Sequence, residues 1–231
     1  IDLGVGWAPG SDQLTSFALN PNPQDVHEQF PAQIRDLQGW VSGTPLPDDH
    51  PFRHVTAHPT GPTTPELWIL GSSEYGAQLA AFVGLPYAFA YFFSEGTGVD
   101  KALALYRDHY RPSERHPKPQ ATICVWALAA DTEAEARRQF RSRELWRIGF
   151  EKNLRLPLVS PEEAATYTFT AEERALLDRL GRKAIVGSAQ QVAAQLNELA
   201  ARLALDELVI NTWTFDPAAR LRSCQLLAGA F

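Results

Sequence analysis

Five short runs of mostly apolar residues limit what this chain can fold into: 1–6 (IDLGVG), 66–71 (ELWILG), 86–93 (PYAFAYFF), 121–129 (ATICVWALA) and 206–213 (DELVINTW). Four of them are nearly continuous rather than alternating in polarity, the pattern of strands buried on both faces. Stretches with apolar residues three and four apart separate the runs, the spacing of one helix face. Strand and helix in regular succession predict a parallel sheet covered by helices. A doubly wound open sheet and a (β/α) barrel both satisfy that pattern, and periodicity does not choose between them.

The helices carry their own punctuation. Val26, Phe30, Ile34, Leu37 and Val41 form one apolar stripe, with Pro31 placed to kink that helix or delay its start. It is preceded by a turn with a candidate cap, Ala8 to Asp12, and by a break at Pro21 to Pro23. Further helices are read over 73–83, stopped at Gly84, and over 99–110. Asp131 is positioned to cap a long helix running towards Phe150. Residues 151–183 depart from the alternation. Two capping-box patterns there, Ser160 to Glu163 and Thr170 to Glu173, mark a helical insertion within a single domain spanning 1–231. Residues 184–186 are a short extended piece. Ser188 and Gln191 form a third box for a helix through Leu203, and Pro217 opens the last helix where proline is tolerated. Between Gly43 and Pro65 the chain is rich in Pro, Thr, His and Gly. A loop of that length is a candidate lid, or else a crossover that covers the core.

Composition excludes several classes. The 231 residues carry a net charge of −6, and Lys and Arg are interleaved with Glu rather than gathered in a stripe, which argues against nucleic acid as a partner. No apolar stretch reaches the roughly 20 residues of a membrane helix. Cys124 and Cys224 read as buried or half-buried reduced thiols of a cytoplasmic protein. His50, His54 and His58 are spaced by four, but Pro51 and Pro59 break a helical metal face, so no metal site is expected. No GxSxG elbow marks a serine nucleophile, and no carboxylate pair stands at a strand end. The chain contains no methionine and opens directly on a strand-like run, so further residues are expected upstream of Ile1.

In either architecture ligands bind at the C-terminal ends of the strands. The most informative end is Leu70-Gly71-Ser72-Ser73. A glycine lets the backbone turn, and two hydroxyls then meet the free N–H groups and positive dipole of a helix N-terminus, which suits a phosphate. The competing reading is plain N-capping by Ser72 or Ser73. At the end of 86–93, Phe89, Tyr91 and Phe93 either line a flat-ring pocket or fill core. Gly4, Gly6 and Gly10 permit close backbone approach but lack the spacing of a phosphate loop. Asn211 and Thr212 offer hydrogen bonds at the last strand end, and Asp216 reads as a helix cap.

IDLGVGWAPGSDQ, PELWILGSSEYGAQLAAFVGLPYAFAYFF, IVGSAQQVAAQL and DELVINTWTFDPAARLRSCQLLA, in that order along essentially the whole chain, resemble the bacterial-luciferase-like flavin-dependent monooxygenases. The resemblance implies a (β/α)8 TIM barrel of the luciferase-like type, of which the five principal strands here match the last five and the first three are lacking. It implies reduced FMN, or in some branches the deazaflavin F420, at the C-terminal mouth. It places Gly71, Ser72, Ser73 and Gly76 where the family holds the flavin phosphate, Tyr91 beside the flavin ring, and Trp7 where relatives carry a phosphate-pairing arginine. The family's usual catalytic histidine lies upstream, so no catalytic residue is assigned. The implied activity is oxidation of a small organic substrate by reduced FMN and O2, with a flavin reductase as possible partner and a homodimer as the working form. A degenerate, non-catalytic flavin-binding relative is the first alternative, and a sugar-phosphate barrel isomerase or lyase the second.

Overall fold

The structure is a computed structural model that describes residues 1–7, 12–19, 26–154, 156–181 and 183–231. In chain order its elements are β1 (Asp2–Gly6), α1 (Gln13–Leu19), α2 (Val26–Ser42), β2 (Glu66–Gly71), α3 (Glu74–Val83), β3 (Tyr87–Phe89), α4 (Tyr91–Ser94), α5 (Val99–Asp108), β4 (Ala121–Ala130), α6 (Glu133–Glu151), α7 (Pro161–Thr166), α8 (Ala171–Gly181), β5 (Ile185–Ser188), α9 (Ala189–Leu203), β6 (Leu208–Asn211) and α10 (Pro217–Ala228). The chain divides into two compact units, residues 1–90 with 98–121 and residues 91–97 with 122–231. The turn at Ala8 to Ser11 and the break at Pro21 to Pro23 lie outside the described residues. Asp12 does act as a cap, accepting the Thr15 N–H at 2.9 Å.

In the first unit the strands are parallel. β1 pairs with β2 from Asp2 opposite Glu66 to Gly6 opposite Leu70, and β2 pairs with β3 from Ile69 opposite Tyr87 to Gly71 opposite Phe89. Leu67 and Ile69 on one face of β2 and Trp68 on the other are buried, while Leu70 at its end is exposed. α3 lies close on β2 because most of its buried residues are small: Gly76, Ala77, Ala80 and Ala81, with Leu79 the one large side chain among them. Gly84 ends α3 in the left-handed conformation, φ 65°, and its N–H closes on the last carbonyls. A side chain there would also strike the Arg111 carbonyl, 2.6 Å from the Cβ position. The buried Tyr106 hydroxyl shares its one proton between the Leu85 and Gln120 carbonyls, 2.9 and 3.0 Å away, and so ties α5 to the approach of β3. Pro31 sits inside α2 rather than at its start, at the loss of one intrahelical bond.

The second unit is also parallel. β4 is flanked by β5, paired from Ala127 opposite Ile185 to Ala130 opposite Ser188, and by β6, paired from Ile123 opposite Leu208 to Trp126 opposite Asn211. Trp126, Leu128 and Ala130 on one face of β4 pack with Ala136 and Phe140 of α6. The segment 151–183 holds α7 and α8. Ser160 accepts the Glu163 N–H, Thr170 and Glu173 bond each other's N–H groups, and Ser188 and Gln191 do the same.

Three sequence expectations shift. The expected strand 86–93 pairs only over 87–89. Beyond it the Ala90 N–H turns to the Gly71 carbonyl at 2.7 Å, and Tyr91, Phe92 and Phe93 open α4 instead. A run of consecutive aromatics has no period of its own, and a short apolar run reads as strand by default. The cap of α6 is Thr132, whose hydroxyl accepts the Glu135 N–H, while Asp131 forms an ion pair with Arg222. Both cysteines are free thiols, but Cys224 is exposed rather than buried.

Candidate functional site

The C-terminal ends of β1 and β2 lie side by side, and that arrangement gathers five of the residues singled out from the sequence. Because Gly6 faces Leu70 in the register, Trp7 and Gly71 are the next residues beyond the paired ends. Ser72 and Ser73 follow, both exposed, and Gly76 is buried in the first turn of α3. The turn is as tight as two glycines permit. A Cβ on Gly71 would meet the Gly76 Cα at 3.4 Å, and a Cβ on Gly76 would meet the Gly71 Cα at 3.3 Å. The Tyr87 ring lies against the same two positions, 3.4 and 3.5 Å from them, and the Tyr87 hydroxyl donates to the Ser73 carbonyl at 3.3 Å. Burial pushes the Tyr87 phenol well above its ordinary pKa, so it stays a donor.

Ser73 bears on the two readings of this end. It occupies the N-cap position of α3 with extended backbone, φ −139° and ψ 166°, yet its hydroxyl makes no cap hydrogen bond. A capping serine satisfies a first-turn N–H with its own oxygen. Here that hydroxyl is left for an outside acceptor, at the end of the helix where the leading N–H groups point. The ten-residue helix also presents the positive end of its dipole at this point. A phosphate fits that donor set.

The charge balance is less favourable. Trp7 is half-buried and supplies no cation, and Glu74 adds an acid to the same helical turn. Lys101, on α5, answers Glu74 with an ion pair of 2.7 Å. Lys101 has no signature in the sequence, since a lone lysine on a helix carries no signal until the fold sets it beside the first turn of α3. The glycines of β1 have a packing reason: Cβ atoms on Gly4 and Gly6 would fall 2.8 Å from Leu70 Cδ1 and 3.1 Å from the Leu70 carbonyl. Gly10 lies outside the described residues.

Tyr91 belongs to the second unit, where it opens α4. The helix closes on itself at once: the Gly96 N–H donates to the Tyr91 carbonyl at 3.0 Å. Glu95 and Gly96 take left-handed backbone, with φ 47° and 78°. Glu95 turns inward and meets Arg143 of α6 at 3.3 Å, in a pair whose side chains are 10% and 7% exposed. The Arg143 guanidinium lies over the Trp126 ring, 4.0 Å from its centroid, and near that of Trp213 at 5.5 Å. Burial lowers the Arg143 pKa, against the Glu95 carboxylate that raises it. The sequence signs of this arrangement were the two glycines, Gly96 and Gly98, following the aromatic run.

The other strand-end residues are accounted for locally. Thr212 donates to the Ala127 carbonyl at 2.7 Å, and Asp216 caps α10 through the Ala218 N–H at 2.9 Å. His50 pairs with Asp36 at 3.2 Å, and among the described residues no three potential metal ligands gather. No described helix is long and apolar enough to cross a membrane.

Comparison with known proteins shows the family of the chain. The luciferase-like monooxygenase family profile matches residues 1–207. The protein YceB of Bacillus subtilis (strain 168) is 32% identical over 231 residues, covering 100% of this chain and 69% of its own. A luciferase-like monooxygenase of Escherichia coli (strain K12) is 34% identical over 226 residues, covering 98% of this chain and 66% of its own. The crystal structure of apo-MsnO8 superposes with a TM-score of 0.83 at 28% identity, over 100% of this chain and 68% of that one. The chain thus spans about two thirds of the length of each of these. Its parallel α/β fold is of the luciferase-like (β/α) barrel type.

Proposed function

The chain belongs to the luciferase-like monooxygenase family, and from that premise we propose that it holds reduced FMN by the phosphate at the β2–α3 turn and oxidises a small organic substrate. The observation that carries this is the Ser73 hydroxyl, set at a helix N-terminus but spent on no cap. Ser72, Ser73 and the first N–H groups of α3 hold the phosphate. Gly71 and Gly76 keep the turn tight enough for those donors to converge, and Tyr87 fixes the turn from below through the Ser73 carbonyl. Tyr91 is the residue we assign to the flavin ring. When bound, reduced FMN supplies the electrons that let O2 deliver one oxygen atom to the substrate. A separate flavin reductase supplies the reduced cofactor, and the chain works as a homodimer.

A non-catalytic flavin-binding protein is the second reading, and Trp7 is the observation that favours it. An arginine at that position would add a charge-assisted contact worth about 1.5–3 kcal/mol. Titrations with FMN, riboflavin and F420, followed by flavin fluorescence, test the binding site. FMN is expected to bind more tightly than riboflavin, because the phosphate supplies the difference, and more tightly than F420. Equal, weak binding of FMN and riboflavin by folded protein would remove the phosphate site. Tight FMN binding without O2-dependent NADH consumption in the presence of a flavin reductase and candidate substrates would select the second reading.

A further inference from the structure

We infer that Arg143 is a positioning residue, which through Glu95 and Gly96 sets where the Tyr91 ring stands. The inference deepens the reading of Tyr91 as the ring-facing residue and rests on it for its effect on cofactor binding. Its structural part stands alone.

The observations form one continuous chain within the second unit. Arg143 is held on α6 by the Trp126 face, and its side chain is 7% exposed. Such a cation needs an anionic partner, since an unpaired buried charge is costly. Glu95 supplies the carboxylate, and to reach Arg143 it accepts left-handed backbone, φ 47°, which a non-glycine residue seldom adopts. That conformation is a local cost which the ion pair offsets. Glu95 in turn commits Gly96, at φ 78°, whose N–H closes on the Tyr91 carbonyl. Gly96 also forms the floor under the Tyr91 ring. A Cβ there would fall 2.2 Å from Tyr91 Cε2 and Cζ and 2.5 Å from its hydroxyl oxygen, so the ring rests directly on the glycine backbone. Moving Glu95 therefore moves the surface on which Tyr91 lies.

The pairing also explains a placement that packing alone does not. A guanidinium inside an aromatic layer contributes little to stability that an apolar side chain of the same volume would not. Its particular capacity is to fix one partner in one geometry, and the partner here closes the turn that carries Tyr91.

The test uses the full chain with its tyrosines, six in all, replaced by 3-fluorotyrosine. The Tyr91 fluorine signal is identified by its loss in Tyr91→Phe. Glu95→Gln keeps the side-chain volume and removes the charge. It is expected to shift or broaden the Tyr91 signal while leaving that of Tyr106, in the first unit, unchanged. Arg143→Met is expected to do the same, and Arg143→Lys to restore most of the native signal. Gly96→Ala acts from the other end, displacing the ring with the ion pair left in place, and serves if the Arg143 variants fail to fold. An unmoved Tyr91 signal in folded Glu95→Gln overturns the inference. FMN affinity is measured on the same samples. It is expected to fall by about three- to tenfold in Glu95→Gln, with no further loss when Glu95→Gln is combined with Tyr91→Phe. A shifted Tyr91 signal with unchanged FMN affinity would uphold the positioning chain and remove Tyr91 from the flavin ring.

Discussion

Replacing Ser73 by alanine separates binding from stability, because its hydroxyl lies at a helix N-terminus without capping it. An ordinary capping serine changed to alanine costs about 1 kcal/mol. For a chain of this length that corresponds to a fall in Tm of roughly 2–4 °C. Ser188 is the internal control: its hydroxyl accepts the Gln191 N–H, and Gln191 bonds back to the Ser188 N–H at 2.8 Å. Ser188→Ala is therefore expected to lower Tm by about that amount and to leave FMN affinity alone. Ser73→Ala removes no such bond, so its stability should stay within about 0.5 kcal/mol of the parent. Its effect appears with the ligand. A hydrogen bond to a charged group contributes about 1.5–3 kcal/mol, and water competes at this exposed serine, so the lower end applies. The dissociation constant for FMN should then rise roughly tenfold. Riboflavin, which lacks the phosphate, should bind both forms equally. Thermal melts and fluorescence titrations on the two variants settle the matter. If Ser73→Ala melts as low as Ser188→Ala while FMN affinity holds, the hydroxyl caps α3 after all and the phosphate reading of this turn fails.

Two further outcomes follow from the charges. Trp7→Arg adds a cation beside Gly71 and should tighten FMN binding about tenfold, with no gain for riboflavin and a gain that shrinks as salt is added; a gain shared by riboflavin would place Trp7 away from the phosphate. Lys152, then the Thr170 N–H and the Tyr167 hydroxyl, hold the Glu173 carboxyl down at about 2 from its ordinary 4.5, so its contribution to stability is complete above pH 4.5 and is lost as pH falls towards 2. Glu173→Gln should flatten the pH dependence of urea unfolding across that window, and an unchanged slope would show that the pair does not govern acid stability.

What could be read from the sequence is what depends on neighbours along the chain. Apolar runs at 66–71 and 121–129 became paired strands because burial on both faces leaves a continuous signature. The boxes at Thr170 and Ser188 formed as written, since the partners stand three residues apart. The Tyr91 turn was hidden for the opposite reason. Its determinant is an ion pair between Glu95 and Arg143, 48 residues apart in sequence, and three aromatics in a row concealed the helix. The β2–α3 turn lies between these cases. The local sequence puts two serines at a helix start, where plain capping is the simpler reading, and only the family resemblance favours a phosphate there. In the folded chain Thr132, Ser160, Thr170, Ser188 and Asp216 each spend a side-chain oxygen on a first-turn N–H. Ser73 holds the same position on α3 and does not. A chain that caps these helices with side chains, and leaves the Ser73 hydroxyl off that duty at a strand end, breaks a local rule at the point where the proposed phosphate site needs a free donor.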